Sequence, residues 1–247
     1  MLQDRMLDKS VPIPLYFQLK KLISEEIENG SYPPDAMIPT ENELSQLFGI
    51  SRTTVRQAIT ELVQEERLYR IKSKGTFVCR PKIQQEFMTT LIPFNEDMIR
   101  AGKVPSTEVL ALEVVRPPQE VAQQLELPAD GRTVYLYRKR CADGIPVVRV
   151  ETYLPYDSCA FVLEHDFNRE SLYQVLALHD ETNITNITRI CEARAANTED
   201  ASVLDTKRGK PIQYFLSRGY NRQGKPIEYS VARYRGDQNS FKIHASL

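Results

Sequence analysis

The sequence lacks the features that mark secreted and membrane proteins. Its 247 residues contain no apolar run of membrane-spanning length, and residues 1–11 have no apolar core of the kind that a signal peptide needs. We therefore expect a cytoplasmic protein with no membrane partner. With 41% hydrophobic residues, the chain is long enough to bury two modest cores.

Cysteine and histidine are few, and their spacing follows no metal-binding or redox pattern. The four cysteines include no CxxC pair, and the three histidines form no ligand set with them. We expect these side chains to be packing or surface residues, and we expect neither a metal nor a cofactor. They are Cys79, Cys141, Cys159, Cys191, His165, His179 and His244.

The formal net charge of −1 says little about partners, but the charge is unevenly distributed along the chain. Residues 51–80 hold seven Lys or Arg and three acids, a balance of +4, whereas residues 1–50 hold four bases and eight acids, a balance of −4. Such a basic segment is typical of a surface that neutralises nucleic-acid phosphates. An amphipathic helix with a solvated basic face is the alternative.

Residues 40–78 are predicted to form two short helices, a tight turn between them and a hairpin after them. Thr40 and Glu43 match a capping box at the start of the first helix. Gly49 supplies the turn, and Ser51 is the N-cap of the second helix. The second helix has a buried apolar stripe, and residues 68–80 alternate like a hairpin. This order predicts a helix-turn-helix with a wing, which argues against the simple amphipathic helix.

The face of the second helix opposite the apolar stripe carries guanidinium, hydroxyl and amide groups. Such groups near the start of a helix suit phosphate clamping and contact with base edges in a major groove. The residues on this face are Arg52, Thr53, Arg56, Gln57 and Thr60.

Three motifs occupy this region: Pro39-Thr40-Glu41-x-Glu43-Leu44, Gly49-Ile50-Ser51-Arg52-x-Thr54-Val55-Arg56-x-Ala58 and Gly75-Thr76-Phe77-Val78. They resemble the winged helix-turn-helix of the GntR family of bacterial transcription regulators, over Pro14 to Val78. The resemblance implies that Arg52, Thr54 and Arg56 contact double-stranded operator DNA and that the wing tip approaches the minor groove. The candidate DNA-binding residues are Thr40, Asn42, Arg52, Thr53, Thr54, Arg56, Gln57, Lys72, Lys74 and Gly75.

Three positions depart from the family pattern. Asn42 stands where many members have a base-reading arginine, Ser73 where a wing glycine is usual, and Glu66 where a glycine commonly follows the recognition helix. These departures affect the register of the recognition helix in the DNA groove and the conformation of the wing.

We predict three segments: a winged helix-turn-helix domain over 11–80, a linker over 81–92 and a second domain over 93–247. The first domain begins with a scaffold helix from Leu15 to about Asn29. The second domain shows α+β order, with two β-hairpins and four short helices. The hairpin strands are Thr133–Cys141 with Pro146–Leu154, and Ile212–Asn221 with Pro226–Arg235. The helices are Asn95–Ala101, Pro118–Leu125, Arg169–Leu178 and Thr198–Leu204.

Strand alternation in the second domain predicts an anion site. Arg138 and Arg140 continue the apolar row of Val134 and Leu136, and arginines on a buried face need an anion. Glu151, on the return strand, could pair with these arginines or bind a ligand hydroxyl. Ser171 and Tyr173 add hydroxyls near a helix start, where a phosphate would be stabilised. An internal Arg–Glu ion-pair network is the alternative.

Motifs in the second domain resemble the UTRA effector domain. They are Phe94-Asn95-x-x-Met98, Gly102-x-x-Pro105-Ser106, Arg138-x-Arg140-x-x-Asp143-Gly144-x-Pro146, Glu151-x-x-Leu154-Pro155, Ser171-Leu172-Tyr173 and Gly224-x-Pro226-x-Glu228 with Tyr234-x-Gly236-Asp237. Together with the GntR motifs they imply the HutC subfamily, whose UTRA domains have a chorismate-lyase-like α+β fold, dimerise and bind small effectors.

The UTRA resemblance also implies residue roles. Positions matching Arg138, Arg140, Ser171 and Tyr173 hold the phosphate of an amino-sugar phosphate, and Glu151, Glu228 and Tyr234 face its sugar. Asn95 replaces the usual Ser or Thr beside Phe94 at the edge of the site. The candidate effector-binding residues are Phe94, Asn95, Arg138, Arg140, Glu151, Ser171, Tyr173, Glu228 and Tyr234.

The sequence therefore predicts a homodimeric DNA-binding regulator, acting as a repressor, that a small anionic effector releases from its operator. An amino-sugar phosphate is the expected effector; urocanate or another carboxylate is the alternative. An enzyme of chorismate-lyase type is a further alternative, but no nucleophile, metal or cofactor motif accompanies Glu151 and Glu228. A constitutive architectural DNA-binding protein without an effector is the last alternative, and the pair Arg138 and Arg140 argues against it.

Overall fold

The computed structural model describes residues 2, 5–85, 92–241 and 243. It divides into two compact units, Met1–Pro81 and Lys82–Leu247, and each unit has a hydrophobic core of its own. No helix in the described ranges is both long enough and apolar enough to span a membrane.

The first unit is a three-helix domain with a β-hairpin, which confirms the predicted order of elements. Its elements are α1 (Leu15–Glu28), α2 (Glu41–Phe48), α3 (Arg52–Gln64), β1 (Leu68–Ile71) and β2 (Gly75–Val78). The core takes Leu19 and Ile23 from α1, Leu44 from α2, and Val55 and Ile59 from α3, all with at most 1% exposure. Because these residues recur at helical spacing, one face of each helix is buried and the other is left for solvent or a partner.

Local capping fixes where the second and third helices begin. The Glu43 amide donates to Thr40 Oγ1 at 3.3 Å, and the Thr40 amide donates to the Glu43 carboxylate at 2.7 Å, so both halves of the capping box form. Gly49 ends α2 in the left-handed region at φ 59°. Ser51 Oγ then accepts from the Thr54 amide at 3.1 Å and begins α3.

The second unit contains a six-stranded antiparallel sheet with short helices around it. The sheet has the order β4-β5-β6-β9-β8-β7. Its strands are β4 (Pro105–Val115), β5 (Thr133–Ala142), β6 (Ile145–Pro155), β7 (Asn186–Ala195), β8 (Pro211–Tyr220) and β9 (Pro226–Arg235). The helices are α4 (Phe94–Arg100), α5 (Gln119–Gln124), α6 (Tyr156–Cys159), a 3-10 helix (Ala160–Glu164), α7 (Leu172–Leu176) and α8 (Thr198–Val203). Both predicted hairpins form, between β5 and β6 and between β8 and β9.

Two predictions about irregular segments need correction. The predicted linker 81–92 contains a strand, β3 (Ile83–Gln85), which pairs in parallel with β10 (Asn239–Phe241) and belongs to the second unit. The helix predicted over Arg169–Leu178 is shorter, because the amides of Arg169 and Glu170 bond back to the Asp166 carbonyl in a turn. Residues 86–91 of the predicted linker lie outside the described residues.

Candidate DNA-binding and effector-binding sites

The candidate DNA-binding residues gather on α3 and on the turn of the hairpin. Arg52, Thr53, Arg56 and Gln57 are exposed on α3, opposite its buried stripe. Thr54 is half-buried, and its hydroxyl lies 2.8 Å from Ser51 Oγ. Lys72 and Lys74 are exposed in the turn between β1 and β2. This surface has the basic and hydroxyl groups that phosphate contacts require.

Glu41 organises the basic side chains of this surface, although its sequence position gave no sign of that role. Its carboxylate accepts from Arg56 Nε at 3.0 Å and from Arg70 Nη2 at 3.4 Å. Arg70 Nη2 also donates to Thr60 Oγ1 at 3.2 Å. Glu41 therefore holds two guanidiniums from separate elements in fixed directions while leaving them substantially exposed.

Two other candidate positions have roles in the domain itself. The Thr40 hydroxyl is engaged with Glu43 in the capping box, at 2.8 Å for the contact between Thr40 Oγ1 and Glu43 Oε2. Gly75 has φ 138°, and an added Cβ would lie 2.9 Å from Met37 Sδ. Only glycine fits there without strain, so Gly75 sets the shape of the hairpin. Asn42 is exposed on the first turn of α2.

A cavity on one face of the large sheet brings together most of the candidate effector-binding residues. It contains about 710 Å³ of empty space, a figure that includes space open to solvent. Seven of the nine candidates line it, from α4, β5, β9 and the start of α7. They are Phe94, Arg138, Arg140, Ser171, Tyr173, Glu228 and Tyr234.

The arginine pair forms the cationic side of this cavity. Arg138 is 3% exposed, and its Nε and Nη1 have no hydrogen-bond partner among the described residues. Its Nη2 reaches Thr152 Oγ1 only at 3.5 Å. Arg140 Nε is likewise buried and unpartnered, with its guanidinium 5.0 Å from the centre of the Phe94 ring. Burial and the neighbouring Arg140 charge lower the pKa of Arg138 well below its ordinary value, and the Glu228 carboxylate only partly opposes this effect.

A carboxylate and two phenols form another side of the cavity. The Tyr173 hydroxyl donates to Glu228 Oε2 at 2.8 Å, and Glu228 is 3% exposed. Burial raises the pKa of Glu228 above 4.5, and the hydrogen bond from Tyr173 opposes that rise. Burial also raises the pKa of Tyr234 to about 12. At neutral pH both phenols are therefore hydrogen-bond donors, and Glu228 is an acceptor when ionised.

Several lining residues were missed by the sequence reasoning. Asp97 from α4, Arg189 from β7, Ser217 from β8 and Ser230 from β9 all contribute to the cavity. Arg189 lies opposite Ser217 in the pairing of β7 with β8. The alternation of residues 187, 189 and 191 along a strand was visible in the sequence, but nothing there indicated that this strand borders the arginine pair.

The expected roles of Glu151 and Asn95 at this site are wrong. Glu151 faces the other side of the sheet, where its carboxylate accepts from Arg149 Nη1 at 2.8 Å and from the Tyr135 hydroxyl at 3.2 Å. Across β5 and β6 it is paired with Tyr137, not with Arg138. Asn95 does not line the cavity, because α4 turns Phe94 and Asp97 towards it, three residues apart on one helix face.

The face of the sheet that carries Glu151 holds the ion-pair network that was considered as an alternative. Asp200, at the start of α8, accepts from Arg149 Nε at 2.7 Å and from Arg233 Nη2 at 2.6 Å. Asp200 is fully buried, and both arginines have at most 7% exposure. The network exists, but it uses Arg149 and Arg233 and not the cavity pair.

Comparison with known proteins assigns both units. Residues 15–78 match the model of the bacterial regulatory proteins of the gntR family, and residues 100–239 match the UTRA domain. The HTH-type transcriptional repressor NagR of Bacillus subtilis is 32% identical over 235 residues, which cover 95% of this chain and 96% of that protein. The chain belongs to the GntR family.

Two further similarities support membership of the HutC subfamily within the GntR family. The histidine utilization repressor of Pseudomonas putida is 29% identical over 200 residues, covering 81% of this chain and 79% of that protein. The crystal structure of PhnF from Mycobacterium smegmatis shares the fold, with a TM-score of 0.65, 22% identity and coverage of 94% and 99% of the two chains. This GntR-family chain is thus a transcriptional regulator that joins a helix-turn-helix to a UTRA domain, and not an enzyme.

Proposed function

We propose that this protein is a homodimeric repressor that leaves its operator DNA when a phosphorylated sugar binds in the cavity of the UTRA domain. The observation that carries the proposal is the arginine pair in the cavity lining, Arg138 and Arg140. Arg138 Nε, Arg138 Nη1 and Arg140 Nε are buried and have no hydrogen-bond partner among the described residues. Buried guanidiniums are costly unless an anion accepts their hydrogen bonds. A phosphate with several oxygen atoms suits two adjacent guanidiniums.

The carboxylates of the cavity favour a ligand that is anionic at one end only. Glu228 and Asp97 are both 3% exposed and line the same cavity as the arginines. A second anionic group placed beside them would be repelled, whereas hydroxyl or amino groups would donate to them. A sugar monophosphate, and an amino-sugar phosphate in particular, has this distribution. A carboxylate such as urocanate is the alternative.

The DNA-binding half of the proposal rests on α3 and the hairpin turn. One recognition helix reads only a few base pairs, so a two-fold symmetric dimer on a pseudo-palindromic operator doubles the contacts. We assign base contact to Arg56, which Glu41 orients, and phosphate contact to Lys74 at the tip of the hairpin.

The effector part is tested by calorimetry on the parent protein and on Arg140→Ala. The ligands are glucosamine 6-phosphate, N-acetylglucosamine 6-phosphate, the two unphosphorylated sugars and urocanate. Loss of the charge-assisted bonds should cost roughly 1.5 to 3 kcal/mol, or about tenfold or more in affinity for a sugar phosphate. Equal binding of sugar and sugar phosphate would exclude the phosphate clamp, and binding of urocanate alone would select the alternative.

The regulatory part is tested with operator DNA and the same variant. Effector and operator are coupled reciprocally if they bind to different conformations of one dimer. Arg140→Ala should therefore bind operator like the parent and stay bound at sugar-phosphate concentrations that release the parent. Release of both proteins at the same concentration would contradict this model.

The DNA surface is tested by gel-shift titration at several salt concentrations. Arg56→Ala should cost roughly 1 to 3 kcal/mol and relax the preference at one base pair, because it removes a base contact. Lys74→Ala should weaken binding to all sequences alike and lower the salt slope. Lys21→Ala, on the exposed face of α1, is the matched control. Unchanged affinity in Arg56→Ala and Lys74→Ala would exclude this surface.

A further inference from the structure

Strand β3 brings into the effector domain a polar side chain that the sequence gave no reason to consider. The strand begins two residues after the end of the first unit, and the Ile83 amide donates to the Gln238 carbonyl at 2.7 Å. Gln85 lies at the end of β3, opposite Phe241 of β10. It has 0% exposure and lines the same cavity as the arginine pair.

The orientation of the Gln85 amide is fixed by Asn239. The Nδ2 group of Asn239 donates to the Val147 carbonyl at 3.0 Å and to the Arg235 carbonyl at 2.8 Å, so both of its hydrogen atoms are used. Asn239 Oδ1 is therefore the atom that faces Gln85, and Gln85 must present its Nε2 as the donor. A flipped Gln85 amide would place two oxygen atoms against each other.

This arrangement leaves the carbonyl oxygen of Gln85 without a donor among the described residues. Gln85 Oε1 is buried and finds no hydrogen-bond partner within the part of the chain that the structure describes. A buried acceptor without a donor is unfavourable, and native proteins rarely leave one in that state. Nε2 uses one of its N–H groups on Asn239, and Oε1 is the polar atom of Gln85 that has no partner among the described residues and can accept from a ligand in the cavity.

We propose that Gln85 is an effector-binding and specificity-determining residue whose Oε1 accepts a hydrogen bond from a hydroxyl or N–H group of the bound molecule. The proposal rests on the proposed function and deepens it. Arg138 and Arg140 require an anion, and Gln85 adds the requirement for a hydrogen-bond donor elsewhere on the same molecule. An anion without such a donor fills the arginine site and leaves Oε1 unpaired.

The test compares Gln85→Met with Gln84→Met in the full-length protein. Methionine keeps the length of the side chain and removes the Oε1 acceptor together with the Nε2 donor to Asn239, so inorganic phosphate binding is needed to separate the two losses. Gln84 is the exposed neighbour on the same strand. Calorimetry with glucosamine 6-phosphate should show about a tenfold loss of affinity in Gln85→Met and none in Gln84→Met. Inorganic phosphate, which needs only the arginine pair, should bind both variants and the parent equally.

Analogues of glucosamine 6-phosphate that each lack one hydroxyl or the amino group identify the donor. For the parent, one analogue should bind about tenfold more weakly than glucosamine 6-phosphate. For Gln85→Met, the same analogue and glucosamine 6-phosphate should bind with equal affinity, because the variant already lacks that hydrogen bond. This pattern separates a ligand contact from a general loss of structure, which would weaken every ligand, inorganic phosphate included.

The outcomes distinguish this inference from the proposed function. Equal affinity of glucosamine 6-phosphate for the parent and Gln85→Met overturns the role of Gln85 and leaves the phosphate clamp intact. A parallel loss of inorganic phosphate binding in Gln85→Met overturns it as well, since the residue would then act only through the fold. If neither phosphate ligand binds the parent, the sugar-phosphate function fails and this inference fails with it.

Discussion

The six-stranded sheet buries arginines on both faces, and the two faces treat them differently. On one face Arg149 and Arg233 share the buried carboxylate of Asp200, with bonds of 2.6 to 2.7 Å. On the other face Arg138 and Arg140 have nitrogen atoms with no acceptor among the described residues, and these border a cavity. Both pairs are arginines of the same sheet, so the difference lies in the partner of the guanidinium groups: a carboxylate of the protein on one face and a cavity on the other.

The contrast indicates which arginines serve the fold and which serve a ligand. A buried guanidinium that is fully paired within the chain contributes to structure, and removing its partner leaves a costly isolated charge. A buried guanidinium without a partner destabilises the empty protein, and it becomes favourable only when an anion arrives. The comparison therefore predicts opposite responses to substitution on the two faces.

The largest effect is expected from removal of the shared carboxylate. Asp200→Ala removes the carboxylate that Arg149 and Arg233 share, so that Arg149 keeps only Glu151 and Glu199 and Arg233 keeps no carboxylate partner among the described residues. It also removes the bond from the Asn197 amide to Asp200 at 2.9 Å. We expect the free energy of unfolding of the second unit to fall by about 3 to 5 kcal/mol, measured by urea denaturation. Glu199→Ala, which removes the half-exposed partner of Arg149 at 3.0 Å, is the control and should cost at most about 1 kcal/mol. Similar losses in both variants would contradict a special role for Asp200.

A smaller effect of opposite sign is expected on the cavity face. Arg138→Met replaces a buried guanidinium, two of whose nitrogen atoms have no acceptor among the described residues, by an apolar side chain of similar length. In the absence of effector, the stability of the second unit should be unchanged or higher by up to about 1 kcal/mol. Urea denaturation of the parent and of Arg138→Met measures this difference in the free energy of unfolding. A loss above about 2 kcal/mol would mean that Arg138 is part of an internal network, as Arg149 is on the opposite face.

The smallest effect concerns the pH dependence of stability. Burial raises the pKa of Glu228 above its ordinary value of 4.5, so the native state binds this proton more tightly than the unfolded state does. The parent should therefore lose stability from this group as the pH rises from about 4.5 through the higher native pKa. Glu228→Gln does not titrate, so its melting temperature should rise relative to the parent across that window. Glu113→Gln, at an exposed position, is the control. A difference that is constant with pH would contradict the raised pKa.

Much of the first unit could be predicted because its determinants are local in sequence. The capping box of Thr40 and Glu43, the turn at Gly49 and the cap at Ser51 each act within a few residues. The same holds for the two-residue turn at Asp143 and Gly144. The pairing of Glu41 with Arg56 and Arg70 was not predictable, because it joins residues 15 and 29 positions apart.

The misplacement of Glu151 has a specific cause in the β5–β6 hairpin. Near the turn, Cys141 pairs with Pro146, and regular continuation would place Arg138 opposite Arg149 and on the same face as Glu151. The register shifts by one residue between Arg140 and Cys141, so Arg138 instead lies opposite Val150. Because side chains alternate with a period of two, one extra residue moves Glu151 to the other face.

The sequence by itself determined the helix-turn-helix, the hairpins and the common face of Arg138 and Arg140, because caps, turns and strand alternation act over short distances. Only the tertiary structure decided which groups meet those arginines. Gln85, Arg189 and Glu228 reach the cavity from β3, β7 and β9, and Asp200 meets Arg149 and Arg233 on the opposite face. These assignments depend on strand order, a one-residue register shift and the pairing of two segments more than 150 residues apart. No local pattern encodes them, because their free energy comes from groups that are brought together only by the complete fold.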